Sequence, residues 1–187
     1  MRLRRPGDSA QDNPADPHFR SASAARLEAA LFLADGPLTL RKLTEASGLK
    51  DATETRGMLA QLREHLQSSQ SAFRIEEIAG GFQFLTAPEC RAWLGRLRPP
   101  GHMPRLTPAL AETLTVIAYK QPLTRADLDA VRGVDCGEAL RSLMEKGLVR
   151  AAGRQDSLGR PQLYGTSKLF LQIYGLKSLG DLPKMES

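Results

Sequence analysis

The chain has 187 residues, of which 26 are Lys or Arg and 21 are Asp or Glu, so its formal net charge at pH 7 is +5. This small excess argues against a strongly basic nucleic-acid-binding protein. Its two cysteines, Cys90 and Cys136, lack a second cysteine or a histidine at metal-ligand spacing, which argues against a disulfide framework and a zinc site and fits a reducing cytoplasm.

Residues 1–20 are polar and rich in Pro and Asp. They carry Arg2, Arg4 and Arg5, but no apolar run follows these arginines, so the segment predicts neither a secretory signal nor a membrane span. We expect a disordered tail over residues 1–20. The Pro99-Pro100-Gly101 break further on predicts a linker over residues 99–105 and therefore two domains.

Residues 21–98 predict a first domain of helices followed by a hairpin. Leu27, Leu31 and Phe32 share one face of a helix capped by Ser23, and Thr39 caps a second helix that ends at Gly48. The pattern of a third helix runs from about residue 53 to 66. Two β-favouring runs, 73–78 and 82–86, then flank a glycine turn, which is typical of a hairpin.

A further helix predicted from Pro88 to Leu97 gives this first domain more apolar surface than so small a unit easily buries. The surplus predicts a self-association face. The residues expected to form it are Leu62, Leu66, Trp93 and Leu97. An equally consistent interpretation is that Trp93 and Leu97 cover the domain's own sheet.

Residues 106–176 predict a second domain, and residues 177–187 a C-terminal tail. Thr107 caps a helix that must stop by Pro122, and Thr124 caps a short helix that Gly133 ends. Asp135 is expected to cap a third helix, with Glu138 completing a reciprocal capping arrangement. Strands over residues 148–152 and 162–166 follow, and the turn-rich stretch 153–161 between them forms a wing.

The two halves of the chain repeat each other. Pro37-Leu38-Thr39 and Gly48-Leu49 align with Pro122-Leu123-Thr124 and Gly133-Val134 at one constant offset of 85 residues. The order of elements is also the same in both halves. The sequence therefore predicts an α+β, mainly helical protein of two tandem winged-helix domains, each with three helices and a β-hairpin wing.

Little in the sequence supports catalysis. It contains no phosphate-binding glycine loop and no G-x-S-x-G elbow, and His18, His65 and His102 lie far from both cysteines. We expect no catalytic, cofactor-binding or metal-binding residues, no cofactor, no small-molecule substrate and no membrane contact.

Nucleic-acid binding is the serious alternative, because helix-turn-helix proteins place a helix in the major groove. The third helix of the second domain offers Arg141 and Lys146, but Glu138 and Glu145 oppose them. Its wing is more basic, with Arg150, Arg154 and Arg160 opposed only by Asp156. These arginines could contact phosphates weakly and without sequence preference. We instead favour a structural role, in which they bond turn carbonyls or Asp156.

Two tyrosines favour a protein-binding role. Tyr119 ends a helix just before Lys120-Gln121-Pro122, and Tyr164 lies in the second wing strand, so both could offer partly polar aromatic surface to a partner. Either ring could equally be core, with its hydroxyl bonded to the wing.

Three runs carry a resemblance to a known family: Ile117 to Arg125, Gly153 to Thr166, and Tyr174 to Leu179. They closely resemble the segregation and condensation protein B family, which partners a kleisin subunit in bacterial chromosome condensin. The resemblance is specific from Leu106 to Pro183 and only architectural before that. The chain departs from some relatives in its basic N-terminal tail and in ending soon after Pro183, without a long acidic tail.

The resemblance implies a homodimer formed through the N-terminal domain. It also implies that the dimer embraces kleisin and thereby tunes the ATPase of the SMC subunit, in the cytoplasm and at the nucleoid. We expect kleisin contacts at these residues: Tyr119, Lys120, Gln121, Pro122, Arg154, Arg160 and Tyr164. The alternative function is a winged-helix DNA-binding transcriptional regulator.

Overall fold

The computed structural model describes residues 21–97 and 105–184. The predicted tail over residues 1–20, nearly all of the predicted linker and the last three residues of the chain lie outside these ranges. The described part is an α+β, mainly helical protein built of two similar units in tandem, in agreement with the sequence-based prediction.

The first unit places three helices before a hairpin and a fourth helix after it. Its elements are α1 (Ala22–Leu33), α2 (Leu40–Ser47), α3 (Ala52–Ser68), β1 (Phe73–Ile78), β2 (Gly81–Thr86) and α4 (Arg91–Leu97), with a 3-10 turn at Pro88–Cys90 before α4. The second unit has the same order. Its elements are α5 (Pro108–Lys120), α6 (Arg125–Arg132), α7 (Gly137–Glu145), β3 (Val149–Arg154), β4 (Gln162–Thr166) and α8 (Lys168–Tyr174), with a 3-10 turn at Leu179–Asp181.

Equivalent residues start and stop the second helix of each unit. The Thr39 hydroxyl accepts from the amide of Lys42, and the Thr124 hydroxyl from the amide of Asp127. Both helices end at a glycine in the left-handed region, Gly48 with φ 71° and Gly133 with φ 70°. The offset of 85 residues predicted from the sequence is therefore confirmed in these helix boundaries.

Thr124 and Asp127 also form a reciprocal capping box. The Asp127 carboxylate accepts hydrogen bonds from the Thr124 hydroxyl at 2.7 Å and from the Thr124 amide at 2.9 Å. These bonds favour the charged carboxylate, the hydroxyl more than the amide, so they lower the pKa of Asp127 below its usual value.

The wing of each unit is attached to the helices through a third extended segment. Strands β1 and β2 pair antiparallel, as do β3 and β4. In the first unit Leu38 forms an isolated antiparallel bridge with Phe82, and in the second Leu123 forms one with Tyr164. Each bridge joins the loop before the second helix to the second strand of the hairpin, as a winged helix requires.

Each unit has its own core. In the first, apolar residues of α1, α2, α3 and β1 are buried together: Leu27, Leu31, Leu43, Leu59, Leu62, Leu66 and Ile75. In the second, buried residues come from all three helices, β3 and α8, and they include Leu114, Ile117, Leu128, Leu140, Leu143, Val149 and Phe170.

Three sequence-based predictions differ from the structure. Ser21, not Ser23, caps α1. Phe32 does not share the buried face of α1 and is 75% exposed, because it lies about 100° around the helix from buried Leu31. The predicted Asp135–Glu138 capping box is wrong, since α7 begins after Cys136 without a side-chain cap. Asp135 instead receives the Arg125 guanidinium at 2.7 Å and the Gly137 amide at 2.7 Å.

Helix α8 was not predicted from the sequence. Ser167 caps it by accepting from the amide of Phe170, and Phe170 then enters the second core. After α8, Leu176 and Leu182 also pack against that core, so the segment predicted as a C-terminal tail folds back on its own domain as far as the described residues reach.

One main-chain hydrogen bond joins the two units. The amide of Ala79, in the turn between β1 and β2, donates to the carbonyl of Leu176 at 2.9 Å. Ala79 and Gly80 have φ values of 52° and 74°, so both turn residues are left-handed. None of the helices in the described ranges combines the length and apolar character that crossing a membrane requires.

We expect Gly133→Ala to lower the free energy of unfolding by about 1–2 kcal/mol, because an alanine must adopt the left-handed conformation there. Gly57→Ala is the matched control. Gly57 lies in the interior of α3 with open space around it, so the same change should raise stability by about 0.5–1 kcal/mol. Urea unfolding of both variants measures the two effects, and an equally large loss in both would contradict the assignment.

Candidate partner-binding surface

Gln121 joins the end of α5 to the last residue of β4. Its side-chain amide donates to the Ala118 carbonyl at 3.0 Å and to the Thr166 hydroxyl at 2.9 Å. Its side-chain oxygen accepts from the Thr166 amide at 2.7 Å. A Cβ added at Gly165 would lie 2.8 Å from that same oxygen, so the close approach requires glycine. The side-chain amide group of Gln121 is therefore hydrogen-bonded within its own domain.

The residues on either side of Gln121 are more accessible. Lys120 and Pro122 are exposed, and the Gln121-Pro122 peptide bond is cis. Leu123 then exchanges main-chain hydrogen bonds with Tyr164, at 3.3 Å and 2.8 Å. The structure thus brings Lys120, Gln121, Pro122 and Tyr164, all predicted partner residues, to one junction between α5 and the wing.

Tyr119 is half-buried against the second core. Its hydroxyl donates to the carbonyl of Pro183 at 2.7 Å, so it holds the segment after α8 and not the wing. The ring is thus partly core, as one of the two interpretations held, but its polar end has a partner that sequence reasoning missed. The sequence could not indicate this hydrogen bond, because Tyr119 and Pro183 are 64 positions apart.

Tyr164 lies beside a shallow groove. The groove has a volume of about 360 Å³ and is bordered by Arg125, Gly137, Leu140, Arg141, Met144, Glu145 and Tyr164. Tyr164 pairs with Ala151, and Gln162, two residues before it on β4, pairs with Arg154. Alternate residues of a strand share one face, so Arg154 and Tyr164 lie on the same side of the wing.

The structural role that we favoured for the wing arginines is wrong for Arg154 and Arg160. Neither side chain forms a hydrogen bond or an ion pair with any residue that the structure describes, Asp156 included. Both are exposed. The turn is instead held by main-chain bonds, from the Gln155 amide to the Pro161 carbonyl and from the Arg160 amide to the Ser157 carbonyl, each 2.9 Å.

Arg125, which borders the groove, pairs with carboxylates of α6 and of the loop between α6 and α7. Arg125 bonds Asp135 and lies 3.5 Å from Asp129, whose other oxygen accepts from the Cys136 amide at 2.7 Å. The amide of Gly137 and then the charge of Arg125 lower the pKa of Asp135. These carboxylates therefore organise the start of α7. No three His, Cys, Asp or Glu residues in the described ranges are grouped to hold a metal ion.

The predicted self-association residues divide into two kinds. Leu62 and Leu66 are buried in the first domain's own core, because α3 presents the stripe that contains them to α1 and β1. They are core residues and not interface residues, which corrects that part of the prediction. Trp93 and Leu97, by contrast, are 68% and 81% exposed.

Helix α4 covers little of the first domain. None of its residues is buried, and the guanidinium of Arg96 lies 4.5 Å from the centre of the Trp93 ring. The interpretation that Trp93 and Leu97 cover the domain's own sheet is therefore wrong. Phe32, which the sequence pattern had placed on the shared face of α1, and its neighbour Leu33 are also exposed and add apolar surface at the end of α1.

A family model described as "Segregation and condensation complex subunit ScpB" matches residues 25–185 of this chain. A segregation and condensation protein B from Syntrophotalea carbinolica is 44% identical over 162 residues, which cover 87% of this chain and 81% of the relative.

Two solved structures are also similar. The crystal structure of ScpB from Mycobacterium tuberculosis is 30% identical over 82% of this chain and 95% of that chain, with a TM-score of 0.39. A dimer of an ScpB N-terminal domain complexed with ScpA peptide is 23% identical over 44% of this chain and 98% of that chain, with a TM-score of 0.40.

We expect Gln121→Ala to lower the free energy of unfolding by about 1–3 kcal/mol, because the buried Thr166 amide loses its acceptor. Lys120→Ala, one residue earlier and exposed, should change it by less than about 0.5 kcal/mol. Thermal and urea unfolding give both values. Equal stability of the two variants would show that the Gln121 bonds do not hold the wing.

Proposed function

This chain belongs to the segregation and condensation protein B family, and we propose that it acts as a non-catalytic subunit of a bacterial SMC–kleisin condensin. In this proposal a homodimer of the chain binds the kleisin subunit, and through it SMC, for chromosome condensation and segregation at the nucleoid. The observation that carries the proposal is the family match, which runs through both domains and includes the junction around Gln121.

The kleisin surface that we propose is centred on Tyr119, Lys120, Pro122 and Tyr164. Tyr119 and Lys120 end α5, and Pro122 follows the helix. Tyr164 lies in β4, the second strand of the wing, so a helix and a hydrogen-bonded strand position this surface. Half-buried tyrosines beside an exposed lysine suit a partner segment that is apolar with acidic groups. Gln121 supports the surface from beneath, and the prediction of kleisin contacts at Arg154 and Arg160 stays a prediction.

The dimer contact that we propose lies on the first domain. Trp93 and Leu97 expose most of their apolar surface on a helix that contributes nothing to the core, and Phe32 and Leu33 are also exposed. A second copy of the chain that packs against these apolar side chains removes them from water, and this burial favours a dimer. The second domain instead packs Phe170 of its last helix into its core.

A DNA-binding regulator is the alternative, and the third helices argue against it. On α7, Arg141 lies 3.3 Å from Glu145, and Glu138 adds a further negative charge near the helix start. On α3, the Arg63 guanidinium donates to the Ile75 carbonyl at 3.1 Å and is thus turned toward its own hairpin. Neither helix therefore offers a row of free cations to a major groove.

We expect the Trp93→Ala, Leu97→Ala double variant to shift the full chain from dimer to monomer, because these side chains are exposed in the protomer and apolar. Leu158→Ala is the control, since Leu158 is fully exposed on the second wing and lies outside the proposed contact. Sedimentation velocity over a range of protein concentrations measures the shift. A wild-type chain that stays monomeric at high micromolar concentration would refute the dimer.

We expect Lys120→Glu to weaken binding of the purified kleisin subunit by at least about tenfold while the melting temperature stays nearly unchanged, since Lys120 is exposed. Lys42→Glu on α2 makes the same charge change in the first domain and should leave the affinity intact. Isothermal titration of both variants provides the comparison, and co-purification of tagged protein followed by mass spectrometry identifies the partner. Recovery of DNA-bound protein without kleisin would favour the regulator.

A further inference from the structure

The second wing carries positive charge that the described structure does not neutralise. Between Val149 and Thr166 the chain has three arginines, Arg150, Arg154 and Arg160, and one carboxylate, Asp156. All four residues are exposed, and Arg150 donates only a 3.3 Å bond to the carbonyl of Ala151. Among the described residues no ion pair joins any of these arginines to a carboxylate.

A β-bulge distributes these charges over both faces of the wing. Arg150 pairs with Gly165 and Arg154 with Gln162, while the register shifts between Ala151 and Gly153. Positions 162 and 165 are three residues apart on β4, so they face opposite sides of the hairpin. Without the bulge, Arg150 and Arg154 would share one face, because they are four positions apart on the strand. The bulge therefore places one arginine on each side.

Arg160 places the third charge near the tip. Its φ of 41° is left-handed, as is the φ of 81° at the preceding Gly159. Two main-chain hydrogen bonds of 2.9 Å fix this backbone, from Gln155 to Pro161 and from Arg160 to Ser157. The guanidinium therefore projects from an ordered turn, which reduces the conformational freedom that the turn loses on binding.

We propose that the second wing is a sequence-independent binding site for double-stranded DNA. A two-stranded ribbon fits a DNA groove, where phosphates line both walls, and this wing has a cation for each wall and a third near its tip. A flat anionic membrane surface could engage only one face of the wing at a time. An extended acidic peptide would likewise meet one face.

The neighbouring helix accounts for the lack of sequence preference. Specific readout requires side chains that reach base edges. On α7 the Arg141 guanidinium is paired with Glu145, so this cation on the face of the helix beside the wing is not free to read base edges. Three phosphate contacts correspond to a slope of about −3 in a plot of log affinity against log salt concentration, so binding by one wing is weak at physiological salt.

This site does not depend on the kleisin surface centred on Tyr119, Lys120, Pro122 and Tyr164. It assigns Arg154 and Arg160 to DNA phosphates, and the kleisin contacts predicted for these two residues are the outcome against which it is tested. The test uses the full chain and a short fluorescein-labelled duplex of mixed sequence, with anisotropy read from about 50 to 200 mM salt. The variant is Arg154→Gln with Arg160→Gln. The control is Lys42→Gln with Lys50→Gln, which removes the same charge from exposed positions of the first domain.

We expect the wing variant to bind at least about tenfold more weakly at the lowest salt, with the salt slope reduced by about 2, while the control variant binds as the wild type does. Melting temperature should not change in either variant. A duplex of different sequence should give the same affinities.

Four results would overturn the proposal. They are no binding by the wild-type chain at about 50 mM salt, an equal loss in the wing and control variants, a loss of kleisin affinity with DNA binding intact, and a wing-dependent affinity for anionic vesicles that the duplex does not share. The second of these would show a simple net-charge effect. The third would show that Arg154 and Arg160 contact kleisin, and the kleisin proposal would then hold without the DNA site.

Discussion

One pair of reciprocal main-chain hydrogen bonds fixes each wing to its helices. The pair joins Leu38 and Phe82 in the first domain, and Leu123 and Tyr164 in the second. Each pair attaches the loop before the second helix to the second strand of the hairpin, so that helices and wing form one unit. Such bonds are costly to lose, because a buried amide or carbonyl then has no partner. In the second domain the same junction places Tyr164 near the end of α5. The candidate surface therefore lies at the point where the wing is attached to the helices.

Much of the fold could be predicted because helix boundaries depend on short-range chemistry. The hydroxyl of Thr124 reaches an amide three residues away, and a left-handed glycine such as Gly133 needs only its own backbone. The repeat made these local signals stronger, since each occurs twice. Of the candidate site, the sequence could indicate exposed Lys120 and partly exposed Tyr164, because both adjoin a recognisable helix end and strand.

What could not be predicted depends on residues far apart in the chain. The reciprocal box between Asp135 and Glu138 does not form, because α7 begins only after Cys136 and the Asp135 carboxylate bonds Arg125 and the Gly137 amide. Tyr119 finds its partner at Pro183, and the faces of Arg150 and Arg154 depend on a bulge beside Gly153, a residue that the sequence pattern placed in the turn and not in the strand. Apolar residues show the same limit, since a helical stripe is visible in sequence but the surface that covers it is not.

The bond between the amide of Ala79 and the carbonyl of Leu176 has a consequence for evolution. Both groups belong to the main chain, so the bond itself places no requirement on the side chain at position 176. At position 79 it requires only a residue that has an amide hydrogen and tolerates a left-handed turn. Substitution at one position creates no selection for a compensating side chain at the other. The contact between the two domains would therefore leave no covariation between these positions, even in relatives that retain it.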